Sequence, residues 1–370
     1  MRDRLAEELL AAVMDWQPAD VARERPILQA LAAVKYDDYQ QFSPGRRFVE
    51  SLANWLEQFK EPAERRVAYD FFRSQLIFVS NAEMNHLVSI AYPDHIRPHL
   101  LAKAANESGL NAWHVGRVQN TPAFRILERQ TLFLALSDGA RTDVFRRTNP
   151  HLTHEQVRQS HELSAARIGK LLGKLRDAVK AILQHDPSDE VCFFRTIVLL
   201  DDFSASGLSY LRTDSDGAPD GKVASFVTAL FDPQNPTSTL INIPDVEILL
   251  VLYMASSHAL DYLAAEMTRL CSAKGVRSRV LCVHPLPENV RITKGQDLAL
   301  DALLEKYYDD TNETSSTRLG GTDLRYGFAA CGLPLILGHN TPNNSLGILW
   351  ADGPKMRPLF ARVTRHKDTV

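Results

Sequence analysis

The sequence predicts an α/β protein in which a mainly parallel sheet follows a helical N-terminal region. Apolar residues recur at helical spacing over roughly the first 72 residues. After Pro187, short apolar runs alternate with helical stretches, which is the pattern of βαβ units. These runs are apolar almost throughout, and this is typical of parallel strands that are buried on both faces. Together the observations predict one helical region and one α/β domain.

The expected strands are the compact apolar runs. They are Leu76–Val79, Thr131–Leu136, Phe193–Leu200, Val246–Met254, Arg279–Val283 and Gly327–Leu337. Helices are expected at Val223–Leu230, His258–Leu270 and Asp297–Tyr307. A longer helix is expected to begin near Thr153, because Thr153 followed by Gln156 resembles a capping box. The domains predicted from this pattern are a helical region over residues 1–72, an α/β domain over 73–356 and a basic tail over 357–370.

Composition excludes several classes of protein. The 370 residues carry a net charge of −3, which argues against a broad nucleic-acid surface but leaves room for a local basic patch. The four cysteines are widely spaced and form no C-x-x-C pair, so we expect reduced thiols rather than a zinc site. No uncharged apolar run approaches the ~20 residues of a membrane span, and the N-terminus does not resemble a signal peptide. We therefore expect a soluble, cytoplasmic protein.

The segment that carries chemistry runs from Ile197 to Ser209. Asp201 and Asp202 follow an apolar strand, and ligands of open α/β sheets bind beyond the carboxyl ends of strands. Adjacent carboxylates accept hydrogen bonds from a cis-diol or help to hold Mg²⁺. Gly207 permits a close backbone approach, and the start of a following helix would bind an anion. A diol and a phosphate on one loop describe a ribose 5-phosphate, whereas the alternative is a turn whose polar residues only cap a helix.

This segment resembles the phosphoribosyl-diphosphate (PRPP) motif of type I phosphoribosyltransferases. That motif has four apolar residues, two acidic, two apolar or small and one variable, followed by Thr/Ser-Gly-x-Thr/Ser. The resemblance implies a type I phosphoribosyltransferase-like core, Mg²⁺ as cofactor, and ribose contacts by Asp201 and Asp202, which would hold the metal only indirectly. The phosphate loop that it implies comprises Ser204, Ala205, Ser206, Gly207, Leu208 and Ser209. Ala205 departs from the many members that have a base-directed acid there, although some adenine-type members also have alanine.

A second loop follows the strand Thr131–Leu136. It comprises Ser137, Asp138, Gly139, Ala140 and Arg141. Phosphoribosyltransferases have a pyrophosphate-binding loop at this place, so the resemblance implies that Arg141 neutralises phosphate, with Arg146 and Arg147 close behind. Gly139 would permit an unusual backbone conformation. The alternative interpretation is a capped turn with surface arginines.

Three blocks together resemble the phosphoribosyltransferase-like proteins of prokaryotic conflict systems. They are S-D-G-A-R-T-D-x-F-R-R, L-D-D-F-S-A-S-G and H-N-T-P-N-N-S-L-x-x-L-W, within a resemblance that runs from about Gln75 to Gly353. Some of these proteins are encoded beside retrons or other anti-phage modules. The resemblance implies an effector that acts on PRPP or a related nucleotide by ribosyl transfer or glycosidic cleavage. Its implied partners are a reverse transcriptase complex with RNA and DNA, or an ATPase of the same module, and an oligomer is expected.

Two isolated residues are further candidates. His339 is a candidate acid or base, because the ordinary pKa of histidine lies near neutrality. Glu83 is a candidate site residue, with a first-turn helix acid after Ser80 and Asn81 as the alternative. A catalytically inactive nucleotide-binding or assembly subunit is the competing hypothesis for the whole chain, and Ala205 favours it.

Overall fold

The computed structural model describes residues 3–242, 245–314, 317–321 and 323–363. The chain divides into two compact units. The central unit runs from Met84 to Leu286, and the discontinuous unit combines the chain up to Glu83 with the chain from Pro287 onward. The domain limits drawn near residues 72 and 356 stay a prediction, and the residues on either side of each limit lie in the same compact unit.

The described helices and strands alternate as an α/β protein requires. The helices are α1 (Asp3–Val13), α2 (Pro18–Val34), α3 (Phe48–Glu57), α4 (Pro62–Gln75), α5 (Asn81–Ile90), α6 (Arg97–Glu107), α7 (Val115–Val118), α8 (Pro122–Arg129), α9 (Thr142–Thr148), α10 (Ala165–Leu183), α11 (Lys222–Phe231), α12 (Ser257–Ser272), α13 (Leu298–Lys306) and α14 (Gly347–Trp350). The strands are β1 (Ile77–Val79), β2 (Thr131–Ala135), β3 (Val157–Arg158), β4 (Thr196–Ser204), β5 (Arg212–Thr213), β6 (Pro219–Asp220), β7 (Glu247–Ser256), β8 (Arg277–Leu286) and β9 (Leu335–Leu337). None of the helices in the described part of the chain is long and apolar enough to cross a membrane.

The central unit is built on a five-stranded parallel sheet with the order β3-β2-β4-β7-β8. This confirms the predicted α/β class and its parallel sheet. The middle strands β4 and β7 are buried almost throughout, as their continuous apolar sequences predict. One face of the sheet packs on α10, α11 and α12, whose apolar stripes supply residues such as Leu171, Val227 and Leu263 to a single core. Burying these side chains contributes about 1.5–3 kcal/mol each.

The discontinuous unit contains the predicted N-terminal helices and a short parallel pair, β1 with β9. The strand predicted at Gly327–Leu337 is shorter than expected and begins only at Leu335. The preceding residues turn instead, because Gly327, Ala329 and Gly332 have positive φ angles that no strand accommodates.

The helix predicted to begin at Thr153 is wrong, since α10 begins at Ala165. Thr153 and Gln156 do meet, with the Thr153 N–H donating to Gln156 Oε1 at 3.2 Å. However, the Gln156 side-chain amide also donates to the carbonyls of Glu128 and Thr131, at 2.6 and 3.1 Å. These bonds fix the segment beside β2, and the chain continues as the edge strand β3 rather than as a helix.

The antiparallel hairpin β5–β6, which lies between the loop Ser204–Ser209 and α11, was not predicted. Gly221 then joins β6 to α11 with φ 111° and ψ 170°, a conformation essentially restricted to glycine. A Cβ at this position would lie 2.5 Å from the Tyr210 carbonyl oxygen. The return of the hairpin to α11 therefore requires glycine.

We predict that Gly221→Ala lowers the free energy of unfolding by about 2–4 kcal/mol, from backbone strain and this overlap. Gly217→Ala is the matched control, because Gly217 also has a positive φ, of 81°, but its Cβ would meet nothing within 4 Å. It should lose only about 1–2 kcal/mol. Urea unfolding of both variants measures the difference, and equal losses would contradict the packing described here.

Candidate functional site

The two adjacent carboxylates of the motif lie on opposite faces of the sheet. Asp201 and Asp202 are consecutive in β4, and successive side chains of a strand alternate between faces. Asp201 points to the face that carries α10, α11 and α12. Asp202 points to the other face, toward the loop that contains Gly139. The pair therefore divides into two different environments.

Asp201 is completely buried and is surrounded by hydrogen-bond donors. Its Oδ1 accepts from the Ser137 hydroxyl and from the Asp202 N–H. Its Oδ2 lies 3.0 Å from the Tyr210 hydroxyl and 3.0 Å from Lys222 Nζ. Both carboxylate oxygens are thus engaged by the protein itself.

Burial, followed by the nearby charge of Asp202, raises the pKa of Asp201 despite the opposing effects of Lys222 and Ser137. The same burial raises the pKa of Tyr210 well above its ordinary value, so its phenol is a hydrogen-bond donor at neutral pH. The Tyr210 hydroxyl also lies 2.9 Å from the Phe203 carbonyl oxygen. These hydrogen bonds hold Tyr210, which follows the loop Ser204–Ser209, against β4.

Sequence reasoning missed Lys222 and Tyr210 as parts of the site. A cation at the first residue of a helix is electrostatically unfavourable, because the helix dipole places positive charge there. Lys222 is the first residue of α11. A lysine at this unfavourable position indicates that an acidic partner outside the helix stabilises its charge. Tyr210 directly follows the motif and gave no comparable signal.

Asp202 is half-buried and lies against the loop Ser137–Arg141. A Cβ on Gly139 would overlap the Asp202 carboxylate, with Oδ1 only 2.8 Å away. The expectation of an unusual backbone at Gly139 is wrong, because the left-handed residue is Arg141, at φ 46° and ψ 46°. Glycine is required at 139 for close approach to the carboxylate instead.

Arg141 lies near Asp202 on the same side of the site. Burial lowers the pKa of Arg141, and the charge of Asp202 opposes that shift. Its Nη1 donates to Asn85 Oδ1 of α5 at 2.9 Å. The Tyr253 hydroxyl of β7 donates to the Ala140 carbonyl at 2.6 Å and fixes the loop from below. A guanidinium and a carboxylate are thus held side by side at the carboxyl end of the sheet.

The predicted phosphate loop Ser204–Ser209 follows β4 and is buried up to Gly207. Gly207 has φ 79°, and its N–H donates to Ser204 Oγ at 3.1 Å. The Ser256 hydroxyl donates to the Ala205 carbonyl at 2.6 Å and anchors the loop to the end of β7. The Ser206 hydroxyl accepts from the Leu208 N–H at 3.4 Å.

The helix expected directly after this loop is not there, and that part of the prediction is wrong. The chain makes one turn and the β5–β6 hairpin before α11 begins at Lys222. The first N–H groups of α11 are used within the protein, because Lys222 N donates to the Ser209 carbonyl and Val223 N to the Tyr210 carbonyl. An anion site at this helix start would first have to break those bonds.

The remaining candidates are Arg146, Arg147, Glu83 and His339. Arg146 and Arg147 are exposed on α9, where Arg147 pairs with Asp143 at 2.8 Å. Glu83 belongs to the discontinuous unit and accepts hydrogen bonds from Ser80 and Lys35, which lower its pKa against the effect of burial. That arrangement is a helix cap for α5. His339 belongs to the same unit and is half-buried, and its carbonyl accepts from Gln41 Nε2 at 2.7 Å.

The described residues hold no group of three or more acidic, histidine or cysteine side chains that could bind a metal ion. Mg²⁺ is often held by only one or two carboxylates together with the phosphates of a ligand. Asp202 suits that arrangement, because it is half-exposed at the strand end. Asp201 does not, because its oxygens are already engaged.

The family model PRTase-CE matches residues 52–362. The chain belongs to the PRTase-CE family. This membership confirms the resemblance to phosphoribosyltransferase-like proteins of the conflict and effector group, and it supports a phosphoribosyltransferase-like function. The match begins before the region of resemblance, which started at about Gln75, and it includes α4 and most of α3. Neither the comparison with curated proteins nor the comparison with solved structures gave a match.

We predict that Lys222→Met lowers the free energy of unfolding by about 2–3 kcal/mol, because it leaves a buried carboxylate without its cation. The loss should stay below that of a fully buried pair, since Lys222 is 35% exposed. Adding Asp201→Asn to Lys222→Met should restore part of the loss, and urea unfolding of both variants measures this. A double variant that is less stable than Lys222→Met would contradict the pairing.

We also predict a pH dependence that belongs to Asp201. Its raised pKa means that the folded chain holds this proton to higher pH than the unfolded chain. Stability from this group is therefore lost as pH rises from about 3.9, the ordinary aspartate value, toward the raised pKa. Asp201→Asn removes the titrating carboxyl group. The free energy of unfolding of the wild type minus that of the variant should therefore fall as pH rises across this window. Urea unfolding at several pH values tests this, and a flat or rising difference would contradict it.

Proposed function

We propose that this PRTase-CE chain binds the ribose 5-phosphate part of PRPP or a related nucleotide and acts on it by ribosyl transfer or glycosidic cleavage. The observation that carries the proposal is the half-buried Asp202 carboxylate at the end of β4, with Arg141 on one side. The loop Ser204–Ser209 follows directly along the chain. A carboxylate, a guanidinium and a small-residue loop therefore lie near the carboxyl end of β4.

The two carboxylates take different roles in this proposal. Asp202 accepts hydrogen bonds from the ribose hydroxyls, because it is the member of the pair that reaches solvent. Asp201 positions the two loops of the site. It accepts hydrogen bonds from Ser137 of the loop Ser137–Arg141 and from Tyr210, which follows the loop Ser204–Ser209. We therefore propose only Asp202 as a ribose ligand, whereas the resemblance implied both carboxylates.

Arg141 stabilises the leaving pyrophosphate in this proposal. Its guanidinium can form paired hydrogen bonds with phosphate oxygens, which are stronger than those between neutral groups. Partial burial strengthens such an interaction, because fewer water molecules compete for the charge. The left-handed backbone of Arg141 and the Tyr253 contact to Ala140 hold the loop in place before any ligand arrives.

Asp202 would help to hold Mg²⁺, because this ion often binds one or two carboxylates together with the phosphates of a ligand. Bound there, it would neutralise charge on the departing diphosphate. The phosphate itself would rest on the hydroxyl and N–H groups of the loop Ser204–Ser209. The start of α11 contributes less, because its first donors are already used by the Ser209 and Tyr210 carbonyls.

The second candidate function is a catalytically inactive nucleotide-binding or assembly subunit. Ala205 favours it, because a buried methyl group stands where many type I phosphoribosyltransferases carry a base-directed acid. In either case we propose a role in a defence module, with a reverse transcriptase complex or an ATPase as partner. The conflict and effector character of the family supports this role.

Binding of PRPP with Mg²⁺, measured by isothermal titration calorimetry, tests the proposal. We expect Asp202→Asn to weaken binding by about tenfold or more, because it removes a charged hydrogen-bond acceptor. Asp216→Asn is the matched control, since the same chemical change falls on the exposed turn of the β5–β6 hairpin. It should bind as the wild type does.

Pyrophosphate measured in the same samples, and free base measured in parallel samples that contain a nucleotide instead of PRPP, separate the two candidate functions. Release that Asp202→Asn abolishes supports an enzyme, whereas binding without release supports the inactive subunit. If the wild type binds neither PRPP nor common nucleotides, or if Asp202→Asn binds as tightly as Asp216→Asn, the ligand site is not at Asp202.

A further inference from the structure

The central unit contains a polar cavity at the amino ends of β7 and β8. Its volume is about 760 Å³, which is within the range of small-molecule sites. The cationic side chains that line it come from α6 with its preceding turn and from β8. The ionisable lining residues are His95, His99, Lys103, Glu247, Arg277 and Arg279.

Lys103 is the unusual member of this group. Its side chain is only 11% exposed, and its Nζ makes no hydrogen bond within the described part of the chain. Glu247 Oε2 lies 3.6 Å away, but the same oxygen is 3.0 Å from His99 Nε2. A buried amine without an acceptor costs free energy, so it needs an explanation such as a bound anion.

The charge balance of the cavity also favours an anion. Glu247 is the acidic residue in the lining, and its Oε2 is already engaged by His99 at 3.0 Å. Burial lowers the pKa of Lys103, and the charges of Arg195 and Arg277 lower it further, against the effect of Glu247. Arg277 and Arg279 are exposed at the same end of β8. A bound anion would relieve this repulsion.

We propose that this cavity binds a small phosphorylated anion, with Lys103 donating to the phosphate and Arg277 and Arg279 closing on it from β8. A nucleotide fits the chemistry, because the volume exceeds what a lone phosphate needs. Arginine and lysine are the usual phosphate donors in proteins.

The cavity is distinct from the site at Asp202. Glu247 begins β7, whereas Tyr253, which supports the Arg141 loop, lies six positions later on the same strand. At about 3.3 Å per residue, the two sites are roughly 20 Å apart. The proposal therefore does not depend on the proposed function.

Amine footprinting of the full-length protein tests the site directly. The rate at which an acylating reagent modifies Lys103 is measured by mass spectrometry, with the exposed Lys174 as internal reference. Inorganic pyrophosphate and ATP are the probes. At about ten times the Kd of a probe, we expect modification of Lys103 to slow about tenfold and that of Lys174 to stay unchanged.

Three variants decide where the probe binds. Arg277→Gln/Arg279→Gln should weaken the protection by about tenfold or more, and Arg176→Gln/Lys180→Gln, which removes two charges from the exposed side of α10, should leave it unchanged. Asp202→Asn should also leave it unchanged. Lack of protection in the wild type, full protection in the β8 variant, or loss of protection in Asp202→Asn would each overturn the proposal.

Discussion

A buried carboxylate in the middle of the central sheet sets the arrangement of the site. Asp201 is fully buried in β4, and an unpaired charge there would cost several kcal/mol. The chain meets that cost with donors from three separate segments, namely Ser137, Tyr210 and Lys222. Because each donor belongs to a different loop or helix, satisfying one charge fixes the positions of all three. The loops around the strand end are therefore held before any ligand is present.

The same constraint explains why the neighbouring residue is the one proposed to contact the ligand. Strand alternation places Asp202 on the opposite face, where Gly139 allows the loop to approach its carboxylate closely. Lys222 can reach Asp201 only because the β5–β6 hairpin brings the start of α11 back to the motif. That return also places the first N–H groups of α11 against loop carbonyls. The geometry that pairs Asp201 thus weakens the helix start as a phosphate site.

Local sequence patterns predicted much of this arrangement. The features that they did not predict depend on contacts between residues far apart in the sequence. The continuous apolar runs before Asp201 and Ser137 predicted β4 and β2, because a strand that is buried on both faces is apolar at nearly every position. The motif likewise predicted the loop after β4. Thr153 and Gln156 form the hydrogen bond expected of a helix cap, but an edge strand follows them. The Thr-x-x-Gln pattern alone therefore could not distinguish a helix from an edge strand. The partnership of Asp201 with Lys222 joins residues 21 positions apart, and no periodicity encodes it.

The residue at position 205 bears on which substrate the site would favour. Ala205 is buried and offers no proton, so a nucleobase leaving from a nucleotide would need its acid from another residue. Pyrophosphate leaving from PRPP needs charge neutralisation rather than a proton, and Arg141 with Mg²⁺ would provide it. Asp201 has a raised pKa, but it is completely buried and its oxygens are bonded to Ser137, Tyr210 and Lys222. It is therefore poorly placed to act as that acid. Within the proposed function, the residues therefore favour PRPP over a nucleoside monophosphate, and transfer over cleavage of a base.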